Sequence, residues 1–152
     1  MLGILKKPLA KMIAGSPWVY RMNTGSCNGC DVELATVALC PRYDTSRFGV
    51  KLSGSPKHAD IVVITGPMTI RCKDAAYRIM SQIPEPKVVM TVGNCPISGN
   101  VFQDSYAIDP PISKHFPVDV SVPGCPPSPW SILDGFVKCM ELWEKRVNEQ
   151  LE

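Results

Sequence analysis

Four of the seven cysteines lie in short segments rich in glycine, asparagine and proline, a setting suited to metal or redox chemistry. They are Cys27, Cys30, Cys95 and Cys125. The first two belong to the run Thr24–Glu33, and the others belong to Gly93–Pro96 and Pro123–Pro127. Four convergent thiolates suit an iron–sulfur cluster or a zinc ion. One Cys-x-x-Cys pair also suits a redox dithiol of the thioredoxin kind.

Spacing favours the cluster but leaves both alternatives open. Structural zinc commonly uses two close pairs of ligands, whereas 29 residues separate Cys95 from Cys125. A dithiol would use Cys27 and Cys30 alone, which leaves the other two thiols without a role. A four-iron cluster needs four ligands at one site, and separate loops can supply them. The neighbouring glycines would let the backbone approach its inorganic core.

The other cysteines and both histidines have simpler explanations. Cys72 is the rival for fourth ligand because it lies shortly after an apolar strand, but it lacks the glycine and proline neighbours. Cys139 lies on the apolar stripe of the last predicted helix, which predicts a core residue. Cys40 ends the first predicted helix and has a structural explanation. We expect His58 and His115 to be surface or packing residues.

Two carboxylates lie within three residues after Cys30. Asp31 and Glu33 are expected in the first turn of a helix, where the helix dipole favours negative charge. Glu33 also has a second interpretation, because an acid this close to a cluster could relay protons. The structural and functional interpretations of Glu33 both stay open.

The elements that must position these residues alternate between strands and helices. Strand-like composition occurs at Trp18–Asn23, Ile61–Thr65, Val88–Val92 and Val118–Val122, with a shorter candidate at Phe48–Leu52. Helical patterns occur at Asp31–Leu39, Lys73–Ile83 and Ser131–Gln150. This alternation predicts an α/β fold with a parallel sheet. Ligands of such sheets bind at the carboxyl ends of the strands, which is where the four cysteines are expected.

The chain length, the net charge and the lengths of the apolar stretches exclude several classes of protein. A chain of 152 residues suits one domain, which we predict over residues 16–152. Residues 1–15 mix lysines with apolar residues and are predicted to form a basic amphipathic segment, either docked on the domain or at a membrane surface or partner groove. A net charge of +2 is too mild to indicate nucleic acid as a partner. No apolar stretch approaches the roughly 18 residues that span a bilayer.

Taken together, the motifs resemble the small subunit of group 4, energy-converting [NiFe] hydrogenases. The similar segments are Gly25–Glu33, Pro41–Asp44, Arg47–Leu52, Ser55–Pro67, Gly93–Pro96 and Pro117–Pro127. The wider family includes the 20-kDa cluster subunit of respiratory complex I, which usually has adjacent cysteines where this chain has Cys27-Asn-Gly-Cys30. That departure favours the hydrogenase side of the family or its membrane-bound sulfur-reducing relatives.

The resemblance implies a flavodoxin-like fold, with helices on both faces of the sheet and one [4Fe-4S] cluster. Cys27, Cys30, Cys95 and Cys125 would bind this cluster, which lies nearest the active site of a hydrogenase-like large subunit. A ferredoxin-like polyferredoxin subunit would supply electrons, and membrane-arm subunits would pump ions. The chain would then be peripheral, on the cytoplasmic side of the cell membrane, and catalytic only inside its complex. The resemblance also implies a proton-path role for Glu33.

Overall fold

The computed structural model describes residues 15–151, and within that range five strands form one sheet. The strands are β1 (Trp18–Asn23), β2 (Lys51–Ser53), β3 (Ile61–Thr65), β4 (Val88–Val92) and β5 (Val120–Val122). Their order across the sheet is β2-β1-β3-β4-β5, and every neighbouring pair is parallel. This is the strand order of flavodoxin-like doubly wound sheets, so the predicted fold class is confirmed.

Helices cover both faces of the sheet. They are α1 (Gly29–Leu39), α2 (Ile70–Gln82), α3 (Asn94–Ser98) and α4 (Pro129–Leu151). Side chains alternate across a strand, so Ile61 and Val63 of β3 face one way and Val62 and Ile64 the other. The first pair packs with α1 and α4, whereas the second pair packs with α2. Because β3 and β4 are buried on both faces, their sequences are continuous apolar runs.

Several predicted boundaries were wrong by a few residues. A 3-10 turn at Thr45–Phe48 occupies the start of the short strand expected at Phe48–Leu52, and Gly49 ends that turn with a φ of 81°. The carboxylate of Asp44 accepts a hydrogen bond from the Ser46 N–H, which caps the turn and delays the strand to Lys51. The helices α1, α2 and α4 each begin two or three residues earlier than their apolar spacing predicts.

The basic segment predicted over residues 1–15 lies outside the described residues, apart from Gly15. Within residues 15–151, none of the helices combines the length and the apolar character that crossing a membrane requires.

Candidate metal centre

The four predicted cysteines all follow the carboxyl ends of strands. Since the sheet is parallel, the segments after β1, β4 and β5 leave it at the same edge. Cys27 precedes α1 and Cys30 is its second residue; Cys95 is the second residue of α3, and Cys125 precedes α4. Cys30 is buried and Cys95 partly buried, whereas Cys27 and Cys125 are exposed. The expected loop position of Cys95 was wrong, because it lies in a five-residue helix.

The first cysteine segment is held by hydrogen bonds at its beginning. The Asn23 Oδ1 atom accepts from the N–H groups of Gly25 and Ser26, both at 2.8 Å. The Thr24 N–H donates to the carbonyl oxygen of Thr65 at 3.0 Å. Gly66 has a φ of 85°, and a Cβ atom there would lie 2.4 Å from the Ser26 nitrogen. Only glycine therefore lets β3 end this close to the cysteine segment.

Asp31 is the polar centre of this segment. Its Oδ1 atom accepts from Arg21 Nε at 2.6 Å and from Thr65 Oγ1 at 2.8 Å. Its Oδ2 atom accepts from Asn23 Nδ2 at 3.1 Å and from the Ser26 hydroxyl. Burial alone would raise the pKa of Asp31, but the hydrogen bonds from Ser26, Arg21 and Thr65 outweigh it and lower that pKa.

From the sequence, Asp31 was expected only to interact favourably with the helix dipole, and its hydrogen-bond network was missed. The available signal was polar residues, Arg21 and Asn23, at the end of an otherwise apolar strand. The partner Thr65 lies 34 residues away in the chain, so spacing could not reveal it.

Backbone hydrogen bonds join the second and third cysteine segments. The Gly93 N–H donates to the Val122 carbonyl oxygen, and the Asn94 N–H donates to that of Gly124, both at 2.9 Å. The Gly124 N–H in turn donates to Asn94 Oδ1 at 2.8 Å. The amide of Asn100 donates to Cys125 Sγ at 3.3 Å. These hydrogen bonds hold the segments that carry Cys95 and Cys125 against each other.

Gly93 brings the first segment against the second. Its φ of 100° and ψ of 168° belong to a region that glycine alone occupies readily. A Cβ atom at this position would lie 2.6 Å from Cys30 Sγ. The bare backbone of Gly93 therefore provides the space in which the Cys30 sulfur sits.

When no cation is bound, burial and the repulsion of neighbouring negative charges favour the protonated form of the Cys30 and Cys95 thiols. Burial raises the pKa of Cys30 to about 11, with additional contributions from the charges of Cys95, Cys27, Asp31 and Cys125. Burial, followed by the charges of Cys125 and Cys27, also raises the pKa of Cys95. A bound metal cation reverses such shifts because it favours the thiolate. Among the described side chains, no three or more His, Cys, Asp or Glu are grouped so as to hold a single metal ion.

The remaining predicted residues lie as follows. Cys139 is fully buried in the core, as predicted, and burial raises the pKa of its thiol to about 12. Cys40 follows the last residue of α1, and the rival ligand Cys72 is partly buried in the first turn of α2. Glu33 is partly exposed, and because α1 begins at Gly29, it lies in the second turn rather than the first.

The two histidines match their expected structural roles. His58 is exposed, at the end of a 3-10 turn. The His115 ring is almost fully buried, where its Nδ1 atom contacts the Tyr77 hydroxyl at 2.9 Å and its Nε2 atom contacts the Asp109 carbonyl oxygen at 3.0 Å.

The fold and site together define a flavodoxin-like α/β protein whose carboxyl edge carries four thiols on three neighbouring segments. Residues 27–139 match the family described as NADH ubiquinone oxidoreductase, 20 Kd subunit. The chain belongs to this family of oxidoreductase subunits, and the resemblance found in the motifs is confirmed.

Two relatives are subunits of a membrane-bound hydrogenase and of a formate hydrogenlyase. The chain is 48% identical over 143 residues to the probable membrane-bound hydrogenase subunit mbhJ of Pyrococcus furiosus. This match covers 94% of this chain and 85% of the relative. It is 40% identical over 144 residues to formate hydrogenlyase subunit 7 of Escherichia coli. That match covers 95% of this chain but only 56% of the relative, so the chain spans little more than half of that protein.

Solved structures agree with the fold. A chain of the membrane-bound sulfane sulfur reductase, an archaeal respiratory membrane complex, superimposes with a TM-score of 0.77 at 32% identity, covering 91% of this chain and 76% of that one. A chain of the NAD+-reducing [NiFe]-hydrogenase superimposes with a TM-score of 0.62 at 19% identity, covering 86% and 93%. At that lower identity the agreement concerns the fold alone.

Proposed function

We propose that this chain is the electron-transfer small subunit of a membrane-bound, ion-pumping [NiFe] hydrogenase complex. In this proposal it holds one [4Fe-4S] cluster, the one nearest the active site of the large subunit. The ligands are Cys27, Cys30, Cys95 and Cys125. The observation that carries the proposal is the meeting of three cysteine segments at one edge of a parallel sheet, with Cys30 Sγ against the backbone of Gly93.

The residues at this edge fit an iron–sulfur cluster. Four thiolates form the soft donor set that such clusters use. Gly93 leaves room beside the Cys30 sulfur that any Cβ atom would fill. The Asn100 amide donates to Cys125 Sγ, and hydrogen bonds to ligand sulfurs are a means by which proteins tune cluster potentials. When bound, the cluster would supply one-electron transfer, while the chain holds it, orients it and excludes water.

Exposed apolar side chains near the cysteines support a partner at this edge. Val101 and Phe102, which follow Asn100, are 84% and 53% exposed, and Trp130 at the start of α4 is 59% exposed. Adjacent exposed apolar side chains such as Val101 and Phe102 often mark an interface. In the proposal a hydrogenase-like large subunit covers them, a polyferredoxin subunit supplies electrons, and membrane-arm subunits anchor the complex. The chain lies on the cytoplasmic side.

A second candidate is the equivalent subunit of a membrane-bound sulfur-reducing or complex I-like oxidoreductase. The similarity to a chain of the sulfane sulfur reductase favours it. So does 41% identity over 123 residues to a subunit of the F(420)H(2) dehydrogenase of Methanosarcina mazei, a match covering 81% of this chain and 66% of that relative. The large subunit distinguishes the candidates, because a nickel site needs paired Cys-x-x-Cys motifs near both of its ends.

The test is anaerobic purification of the tagged full chain from membranes of its native host. We expect a large subunit to copurify, together with a cluster signal that dithionite reduction makes visible by electron paramagnetic resonance. A large subunit with both paired motifs, and hydrogen evolution by the complex, would support the first candidate. A large subunit without these motifs, in a complex that reduces sulfur compounds or quinone instead of evolving hydrogen, would support the second candidate. A colourless protein with stoichiometric zinc, or a reversible Cys27–Cys30 disulfide without iron, would contradict both.

A further inference from the structure

We infer that Asp31 is a positioning residue, which holds the first cysteine segment in its ligating conformation and places a fixed negative charge beside the cluster. This inference rests on the proposed function, because it concerns how this chain presents Cys27 and Cys30. Asp31 follows Cys30 directly, and its partner Ser26 directly precedes Cys27. The hydrogen bond between Ser26 and Asp31 therefore links the residue before Cys27 to the residue after Cys30.

The carboxylate connects three separate parts of the fold. Arg21 and Asn23 reach it from β1, Ser26 reaches it from the cysteine segment, and Thr65 reaches it from the end of β3. Each oxygen accepts two of these four hydrogen bonds. The Asp31 side chain is 10% exposed, so water competes little for the same oxygens. The segment is therefore anchored to the sheet by its own polar groups.

An amide cannot reproduce this arrangement. Asparagine offers one acceptor oxygen and an NH2 group that only donates. If the oxygen keeps Arg21 and Thr65, the new NH2 group faces the Asn23 NH2 group, which only donates. It also faces the Ser26 hydroxyl, which already accepts from Asn23 Nδ2 and the Asn28 N–H and would lose the acceptor for its own proton. Asp31→Asn therefore removes the charge and also loosens the contacts next to Cys27.

The Arg21 guanidinium balances the Asp31 charge at 2.6 Å. Removing either member exposes the charge of the other to the cluster. Loss of the carboxylate leaves a net positive charge, which favours the reduced and more negative cluster. Loss of the guanidinium leaves an uncompensated negative charge, which disfavours it. The two variants should therefore move the reduction potential in opposite directions, whereas a merely structural role gives no reason for opposite signs.

The experiment is a redox titration of the full chain, reconstituted anaerobically with iron and sulfide. We expect Asp31→Asn to shift the midpoint potential to more positive values and Arg21→Gln to shift it to more negative values. Asp44→Asn is the matched control, since Asp44 is likewise an aspartate that accepts a hydrogen bond, here from the Ser46 N–H, but it caps the unrelated turn at Thr45–Phe48. This control should leave the potential unchanged.

Hydrogen exchange of the full chain before reconstitution tests the positioning role. Amides of residues 24–28 should exchange at least tenfold faster in Asp31→Asn than in wild type or Asp44→Asn. Wild-type exchange rates in the variant would overturn this role. Shifts of the same sign, or none, in the two charge variants would overturn the electrostatic role. If Asp31→Asn holds no cluster, Arg21→Gln alone tests the electrostatic role. An unchanged or more positive midpoint potential in that variant would then overturn it. A wild-type chain that binds no cluster would instead refute the proposed function.

Discussion

The substitution Gly93→Ala tests the packing of the site most sharply. The added Cβ atom would lie 2.6 Å from Cys30 Sγ, whereas ordinary contacts begin near 3.4 Å, so one of the two must move by roughly 1 Å. Cys30 is buried at the start of α1 and has little freedom to move. We therefore expect damage both to the fold and to the metal centre.

The magnitude follows from two contributions. Placing a non-glycine residue at a φ of 100° and a ψ of 168° costs about 1–3 kcal/mol. Overpacking the space beside the Cys30 sulfur adds about 1–3 kcal/mol. The free energy of unfolding should thus fall by roughly 2–6 kcal/mol, a large share of the ~5–15 kcal/mol typical of a domain. Urea denaturation of the chain without metal measures this loss, and iron content after anaerobic reconstitution measures the damage to the site.

Gly29→Ala is the matched control. Gly29 also lies beside a cysteine sulfur, but a Cβ atom there would be 3.6 Å from Cys27 Sγ, an ordinary contact. Alanine in the first turn of α1 should stabilise the helix by up to about 1 kcal/mol. Full iron content should be retained. If Gly93→Ala matched Gly29→Ala in stability and iron content, the packing described between Gly93 and Cys30 would be wrong.

Two further substitutions test other parts of the account. Glu33→Gln removes a titratable proton at nearly constant shape, so we expect a bound cluster but slower, pH-altered turnover of the assembled complex. Unchanged turnover across pH would contradict a proton-relay role for Glu33. Asp60 accepts a hydrogen bond from the Trp18 N–H at 2.8 Å, but burial raises its pKa, so folding favours the protonated carboxyl and the stability that Asp60 contributes is lost as pH rises through that pKa. Chemical denaturation at a series of pH values above the ordinary aspartate pKa of 3.8 should show this loss in wild type but not in Asp60→Asn; an identical loss in both would contradict the assignment.

The parallel fold and the position of the three cysteine segments at one edge of the sheet could be predicted from sequence because both follow from local patterns. Continuous apolar runs marked β3 and β4 to the residue. The geometry of parallel sheets then required the segments after β1, β4 and β5 to share an edge.

The finer arrangement depends on contacts between distant residues. The short helix that carries Cys95 follows Gly93, and backbone hydrogen bonds join Gly93 to Val122 and Asn94 to Gly124. The start of α1 follows Asn28 in a left-handed conformation, with a φ of 69°, which apolar spacing does not encode. The Asp31 network needs β1, β3 and the cysteine segment together, so it emerges only in the folded chain.

The measurement that tests the central claim most directly is the iron and acid-labile sulfide content of single Cys→Ser variants of the full chain. We expect about four irons and four sulfides per wild-type chain, and loss or conversion of the cluster when Cys27, Cys30, Cys95 or Cys125 is replaced, because a hydroxyl is a poor substitute for a thiolate. Cys72→Ser, the matched control, should retain full content. Loss of the cluster in Cys72→Ser with full content in Cys125→Ser would contradict the proposed ligand set.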